Sequence, residues 1–307
     1  MNQPARAMAG TRVESRTGGI SEARRLYWSL LRELWEHQSI YLAPLAAAGV
    51  FFLGFAVRAF RLPARLQAAV GLEEQHKLLQ EPYTFAALLI MGVTFVVSFF
   101  YCLDALYGER RDRSILFWKS LPVSDTTTVL SKASIPLVAI PLVTFGITIV
   151  LQSLMVLLHS LVLTGSGMGA SILWNNVPLW PMWAMLLYHL LTIHSLWYAP
   201  IYAWLLLVSA WSRRMPILWA VLPLLIIGFL EKVAFNTTYL AALLHFRFLG
   251  GPKGDPFSSG SMQMHSTAQL APWTFISNGG LWSGLLVAAL FLAAAVWLRR
   301  ERGPMGS

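Results

Sequence analysis

The sequence predicts an all-α, polytopic membrane protein with six transmembrane helices, on three observations. Only 12% of the 307 residues are charged and 56% are hydrophobic, where soluble domains carry roughly 25% charged residues. The apolar residues gather into runs long enough to cross a bilayer. The basic residues behind the net charge of +9 flank those runs instead of forming a stripe with aromatic platforms, so the charge reads as membrane orientation and nucleic-acid binding is not expected.

Residues 1–19 are polar, rich in Gly, Arg and Ser, and show no periodicity; disorder is expected there. The first 39 residues contain no apolar core, so no cleavable signal peptide is expected. Over 20–39 the pattern changes. Ala23, Tyr27, Leu30, Leu31, Leu34 and Trp35 recur at helical spacing, with Glu22, Arg24, Arg25, Arg32, Glu33 and Glu36 mostly opposite them. Basic and aromatic residues together (Arg24, Arg25, Tyr27, Trp28, Leu31, Trp35) suit a helix lying in the headgroup region.

The transmembrane domain is expected over 40–298. Its spans are placed at about 40–57, 85–103, 134–158, 182–210, 216–230 and 281–298. Pro136 and Pro141 are expected to bend the third span. The fourth is longer than a bilayer needs and is expected to tilt or to project from the membrane, while the fifth reads as short for a crossing. Lys and Arg number six in 1–39, five in 104–133, two in 211–215 and three after 298. The alternating segments hold four (58–84), none (159–181) and three (231–280). Sixteen against seven places both termini, the 299–307 tail and the 104–133 loop in the cytoplasm.

Outside, 58–81 reads as a short surface helix, and Trp174, Trp180 and Trp183 suit an interfacial aromatic belt. The exterior segment 231–280 is the largest. Helix is expected through Phe248, a break at 250–260, and a re-entrant turn at 271–280. Glu231 and Lys232 are its most membrane-proximal charges, read either as lining an interior path or as an ordinary charged span end.

The 104–133 loop is the most heavily charged insert between spans. Glu109, Arg110, Arg111, Asp112 and Arg113 form a mixed-charge run, followed at once by Ile115, Leu116, Phe117 and Trp118. Pro122 ends whatever helix these residues make, and Ser124 or Asp125 caps the next. A charged, amphipathic element between two spans reads as a docking surface for a soluble partner.

Familiar catalytic patterns are absent from the chain. It has no Gly-x-x-x-x-Gly-Lys-Ser/Thr run, no His-Glu-x-x-His and no Gly-x-Ser-x-Gly. The lone Cys102 makes neither an intrachain disulfide nor a thiolate metal site. His189 and His194, five apart, fall on different faces of an α-helix, and His159 stands at a span end; all read as interior or interfacial residues. Met262, Met264 and His265 are soft ligands of a kind that suits Cu(I), though chance clustering is the simpler reading. No Asp or Glu is expected mid-span, which argues against a proton-driven carrier and leaves the chain without an energy source of its own.

On Leu106-Tyr107-Gly108-Glu109-Arg110 and Ser114-Ile115-Leu116-Phe117-Trp118-Lys119-Ser120-Leu121-Pro122-Val123-Ser124, the chain resembles the permease subunit of an ABC-2 type ABC transporter of the bacterial exporter kind. The amphipathic N-terminal helix, the span count and the exterior segment before the sixth span extend that resemblance over nearly the whole chain. It implies a cytoplasmic coupling helix in the 104–133 loop and a location in the bacterial cytoplasmic (inner) membrane. The implied partners are two copies of a separate ABC ATPase and a second permease, either another copy or a paralogue. It also implies that ATP and Mg are held by the ATPase and that no cofactor is bound by this chain. Carried over, Tyr107, Gly108, Glu109, Arg110, Arg111 and Arg113 would contact the ATPase, with charge-assisted bonds from the charged members. Ile115, Leu116, Phe117 and Trp118, closed by Pro122, would fill the apolar part of its groove. The expected activity is export of an amphipathic or hydrophobic substrate (a lipid, a peptide or an antibiotic-like compound) by alternating access. A non-transporting sensor or assembly component would share the same loop. A lipid-acting membrane enzyme is disfavoured, because no acid–base or nucleophile constellation stands near a span end.

Overall fold

The computed structural model describes residues 22–116, 124–250 and 272–301, and every regular element among them is helical. Residues 1–21, 251–271 and 302–307 lie outside the described residues, as do Phe117, Trp118 and Pro122 of the loop and Met262, Met264 and His265 of the 231–280 segment.

An amphipathic helix α1 (Glu22–Glu36) is followed by α2 (Ser39–Ala59), the first span. The short α3 (Leu62–Ala68) leads through Gly71, whose φ of 105° turns the chain, into α4 (Leu72–Asp104). Much of the stretch expected as a separate surface helix is therefore the first part of α4 itself. The loop forms α5 (Tyr107–Arg111). Beyond it, α6 (Asp125–Ser134) runs through a π-helical turn at Ile135–Ala139 into α7 (Ile140–Gly165). The turn lies where Pro136 and Pro141 each lack an N–H, so the expected bend is taken up as a wider turn.

After the short α8 (Ser171–Asn176), α9 (Leu179–His189) passes through a π-helical stretch at Leu190–Trp197 into α10 (Ala199–Trp211), and the two limbs meet at 47°. Here the sequence reading of the histidines is corrected. The i→i+5 bonding of the π stretch brings residues five apart toward one side. His189 and His194 are both buried, and His194 Nε2 stands 3.4 Å from the Tyr202 hydroxyl.

The fifth span, expected to be short, is the 20-residue α11 (Pro216–Phe235), about 30 Å long and sufficient for a crossing. Met215 and Asn236 in the left-handed region bound it, with Pro216 at its first position. The chain continues as α12 (Tyr239–His245) and a π-helical turn at Phe246–Gly250; α13 (Pro272–Ile276) then precedes the last span, α14 (Gly279–Glu301). Five helices among the described residues are long and apolar enough to cross a membrane, and the bent α9–α10 pair makes a sixth if it counts as one span.

Two apolar clusters build the bundle. Around α2, α4, α7 and α9, Phe55, Tyr83, Ile90, Leu151, Met155 and Leu186 pack together. Within this cluster the Trp183 indole donates to Gln152 Oε1 at 2.7 Å, and Gln152 donates to the Tyr83 carbonyl at 3.0 Å. The second cluster joins α2, α4, α7 and α10 through Ile40, Tyr101, Ile140, Tyr202 and Leu206. Along α10 and α14, Ala199, Ala203 and Ala288 let the two backbones approach, as small residues do in membrane helix pairs. Only Ala220 of α11 is buried, so that helix stands at the periphery.

Candidate functional site: a buried charge lattice at the loop end of the bundle

The 104–133 loop is fastened to four helices by side chains that are almost fully enclosed. Its centre is Lys132, in the last turn of α6, with 2% of its surface exposed. Lys132 Nζ donates to Glu33 Oε1 at 2.9 Å and lies 3.1 Å from Glu109 Oε1. Glu109 Oε2 takes an ion pair from Arg299 near the end of α14, and Arg299 Nε donates to Asp125 Oδ1 at 3.0 Å. Asp125 opens α6 beside Ser124, whose hydroxyl caps the helix by accepting from the Thr127 amide at 3.1 Å. The Tyr101 hydroxyl donates to Glu33 Oε2 at 2.9 Å, and Arg32 reaches Glu33 Oε1 at 3.1 Å. Three carboxylates thus meet three cations. Burial of this kind demands such balance, because an unpaired charge in a low dielectric costs several kcal/mol.

Glu33 shows the balance of forces. Burial alone would raise its carboxyl, yet the ammonium of Lys132 and the hydrogen bonds from Lys132 and Tyr101 hold it below its ordinary value.

A second fastening uses backbone. Arg110, 4% exposed, donates through Nη2 to the carbonyls of Ser209 at 2.7 Å and Ser212 at 2.6 Å. These are carbonyls of the end of α10 and the residue after it, where a cation complements the helix dipole. In return, the Ser209 hydroxyl accepts from the amides of Leu106 and Tyr107 at 3.0 and 2.8 Å, satisfying donors at the start of α5. Gly108 is buried against Asp104: a Cβ there would sit 3.3 Å from Asp104 Oδ2.

The expected docking residues therefore divide, and part of the sequence reading is corrected. Glu109 (7% exposed), Arg110, Gly108 and Ile115 face inward and are engaged within the chain, so they do not offer themselves to a soluble partner. Arg111, Arg113 and Leu116 project outward and Tyr107 is half-buried, with the Arg111 guanidinium 5.7 Å from the centre of the Tyr107 ring. Arg113 sits at φ 59°, a left-handed conformation that turns the chain at the tip. The charge run alternates between partners because a five-residue helix presents successive residues to different sides.

In α1, Tyr27, Trp28 and Trp35 are exposed, Leu31 is half-buried and Arg24 is exposed; the side chain of Arg25 lies outside the described residues. Leu30 and Leu34 pack on the bundle, and Ser29 bonds Ser131 at 3.1 Å. Glu33, expected on the polar face, points into the bundle instead. No pattern on α1 marks it out, since only Lys132 makes its burial favourable. Lys132, Asp125, Tyr101, Ser209 and Arg299 were not singled out from the sequence as site residues. The available signal was Lys132 itself, a lysine set within a few residues of a long apolar run.

At the other end of α11, Glu231 is a capping residue. Its Oε1 accepts from Thr237 Oγ1 at 2.9 Å and from the Tyr239 amide, and its Oε2 accepts from the Leu240 amide at 2.9 Å, closing the start of α12. Lys232 is exposed, and its carbonyl accepts the Asn236 amide at 3.1 Å. Between α10, α14 and the π turn after α6 lies a cavity of about 190 Å³, lined by Leu137, Tyr202, Ala203, Leu285, Ala288 and Leu292. No family model, no curated protein and no solved structure matches this chain.

Proposed function

We propose that this chain is the membrane-spanning permease subunit of an ATP-driven ABC-2 type transporter in the bacterial cytoplasmic membrane. It exports an amphipathic or hydrophobic substrate by alternating access. ATP and Mg are handled by two copies of a separate ATPase, and a second permease, a copy or a paralogue, completes the cavity.

One observation supports this reading above the others. A single short loop is anchored by Glu109 and Arg110 to α6, α10 and α14, and through Lys132 to Glu33 of α1, while Arg111, Arg113 and Leu116 project from the same loop. A force applied to the projecting residues is passed to four helix ends through contacts too costly to break, so the loop has the form of a lever. The apolar cavity beside α10 and α14 suits a hydrophobic cargo. The exposed aromatic face of α1 suits a helix resting on the membrane surface beside the lever.

Purification of the chain from its native membrane in mild detergent tests the proposal. A stoichiometric soluble ATPase is expected to copurify, and to be lost on combining Arg111→Ala, Arg113→Ala and Leu116→Ala, or on changing Phe117 and Trp118 to Ala. A monodisperse chain that brings no ATPase overturns it.

A further inference from the structure

The exterior segment carries a buried cation of its own, remote from the charge lattice. Arg247, in the π-helical turn after α12, is 9% exposed. Its guanidinium lies over the Trp197 ring at 4.3 Å and donates through Nη1 to the Gly280 carbonyl at 3.1 Å; the Trp197 indole in turn donates to the Arg247 carbonyl at 3.0 Å. The guanidinium packs against Gly284 on one face of α14, and Trp197 and Phe246 line the space at Gly280. A Cβ at Gly284 would fall 1.4 Å from Nη2, so only glycine admits the arginine. Arg299 is balanced by two carboxylates at the opposite end of α14, but among the described residues no carboxylate lies within ion-pair range of Arg247. Burial draws its guanidinium below its ordinary value.

Depth narrows what can approach this cation. Gly280 and Arg299 are nineteen residues apart on one helix, about 29 Å at 1.5 Å per residue. That is close to the thickness of the hydrocarbon core, about 30 Å. The charge lattice and Arg247 therefore mark opposite boundaries of the bilayer. Trp273 and Trp282 are exposed near the same end of α14 as Arg247, as expected of side chains at headgroup level.

We infer that the groove formed by Arg247, Trp197, Gly280 and Gly284 is a binding site for the phosphate of an anionic lipid in the leaflet opposite the charge lattice. The guanidinium fork offers charge-assisted donors to phosphate oxygens, and the ring behind it holds the fork in place. The site stands whether or not the chain is a permease.

The test uses the full chain in phosphatidylcholine nanodiscs doped with phosphatidylglycerol, with retained lipid counted by native mass spectrometry. The wild-type chain is expected to retain phosphatidylglycerol in preference to phosphatidylcholine. Arg247→Met, which keeps an apolar stem over Trp197, weakens that retention roughly tenfold or more. Gly284→Ala gives a comparable loss with the cation still present, because the methyl expels the guanidinium; generic attraction of anionic lipid to a basic chain would survive that change. Equal retention by wild type and Arg247→Met overturns the site. Displacement of the bound lipid by equimolar inorganic phosphate assigns the groove to a soluble anion and overturns the lipid. If Arg247→Met is not monodisperse, the wild-type preference decides alone: equal retention of the two lipids refutes the proposal.

Discussion

Lys132 and Glu33 form an ion pair of 2.9 Å, with 2% and 1% of their side-chain surfaces exposed, and it ties the amphipathic N-terminal helix to the third span. Because Lys132 also faces Glu109 at 3.1 Å, its loss leaves two enclosed carboxylates without their shared cation. Lys132→Met is expected to destabilise the chain by about 3–5 kcal/mol. Adding Glu33→Gln to it is expected to return part of that loss, with a coupling of about 0.5–3 kcal/mol in a double-mutant cycle. Unfolding in detergent, followed by tryptophan fluorescence across the four variants, measures it.

Acid acts on the same pair. The folded-state pKa of Glu33 lies below its ordinary value of 4.5, so its contribution to stability is fully present above that value. It is lost as pH falls from 4.5 through the lower, folded-state value, where the unfolded chain binds the proton first. A melting temperature followed against pH is expected to drop over that acidic window in the wild type. Glu33→Gln is expected to start lower at neutral pH and to show a shallower slope.

The division of the loop predicts opposite behaviour for neighbouring residues. Glu109→Ala leaves Arg299 and Lys132 enclosed with one carboxylate fewer, and Arg110→Ala strips a cation from two carbonyls. Each is expected to cost about 2–4 kcal/mol and to lower the yield of folded chain in the membrane. Arg111→Ala, on an exposed side chain, is expected to stay within about 0.5 kcal/mol. Arg113→Gly relieves the left-handed backbone and is expected to gain about 1 kcal/mol or less. Parallel thermal melts of the four variants read the difference.

Glu231 predicts a local effect. Glu231→Ala removes the acceptor for the first amides of α12, so hydrogen exchange at Tyr239 and Leu240 is expected to accelerate while global unfolding stays nearly unchanged. Unchanged exchange at those two amides would refute the capping role.

The helical, membrane-embedded class was legible because it rests on composition and on run length, which are properties of the chain taken one segment at a time. A cap at Ser124 or Asp125 was legible for the same reason, since capping involves residues only three apart, and the structure gives it to Ser124. The fifth span was read as too short because Glu231 and Lys232 looked like an end. The structure carries the helix past them to Phe235, with Glu231 turned back to cap the start of α12.

Which charges face inward was not legible. Glu33 and Glu36 are alike in type and stand three residues apart on one amphipathic helix, yet Glu33 is enclosed and Glu36 is exposed. The difference is Lys132, ninety-nine residues away in sequence and 2.9 Å away in space. Glu109 and Arg111 part in the same manner, one drawn in by Arg299 and the other left outside. The sequence by itself determined that helices cross a membrane and that a charged loop lies between two of them, because transfer of apolar surface from water is additive along the chain. Only the tertiary structure decided which of those charges hold the bundle together, because a buried charge is tolerated solely where the fold delivers its counter-charge.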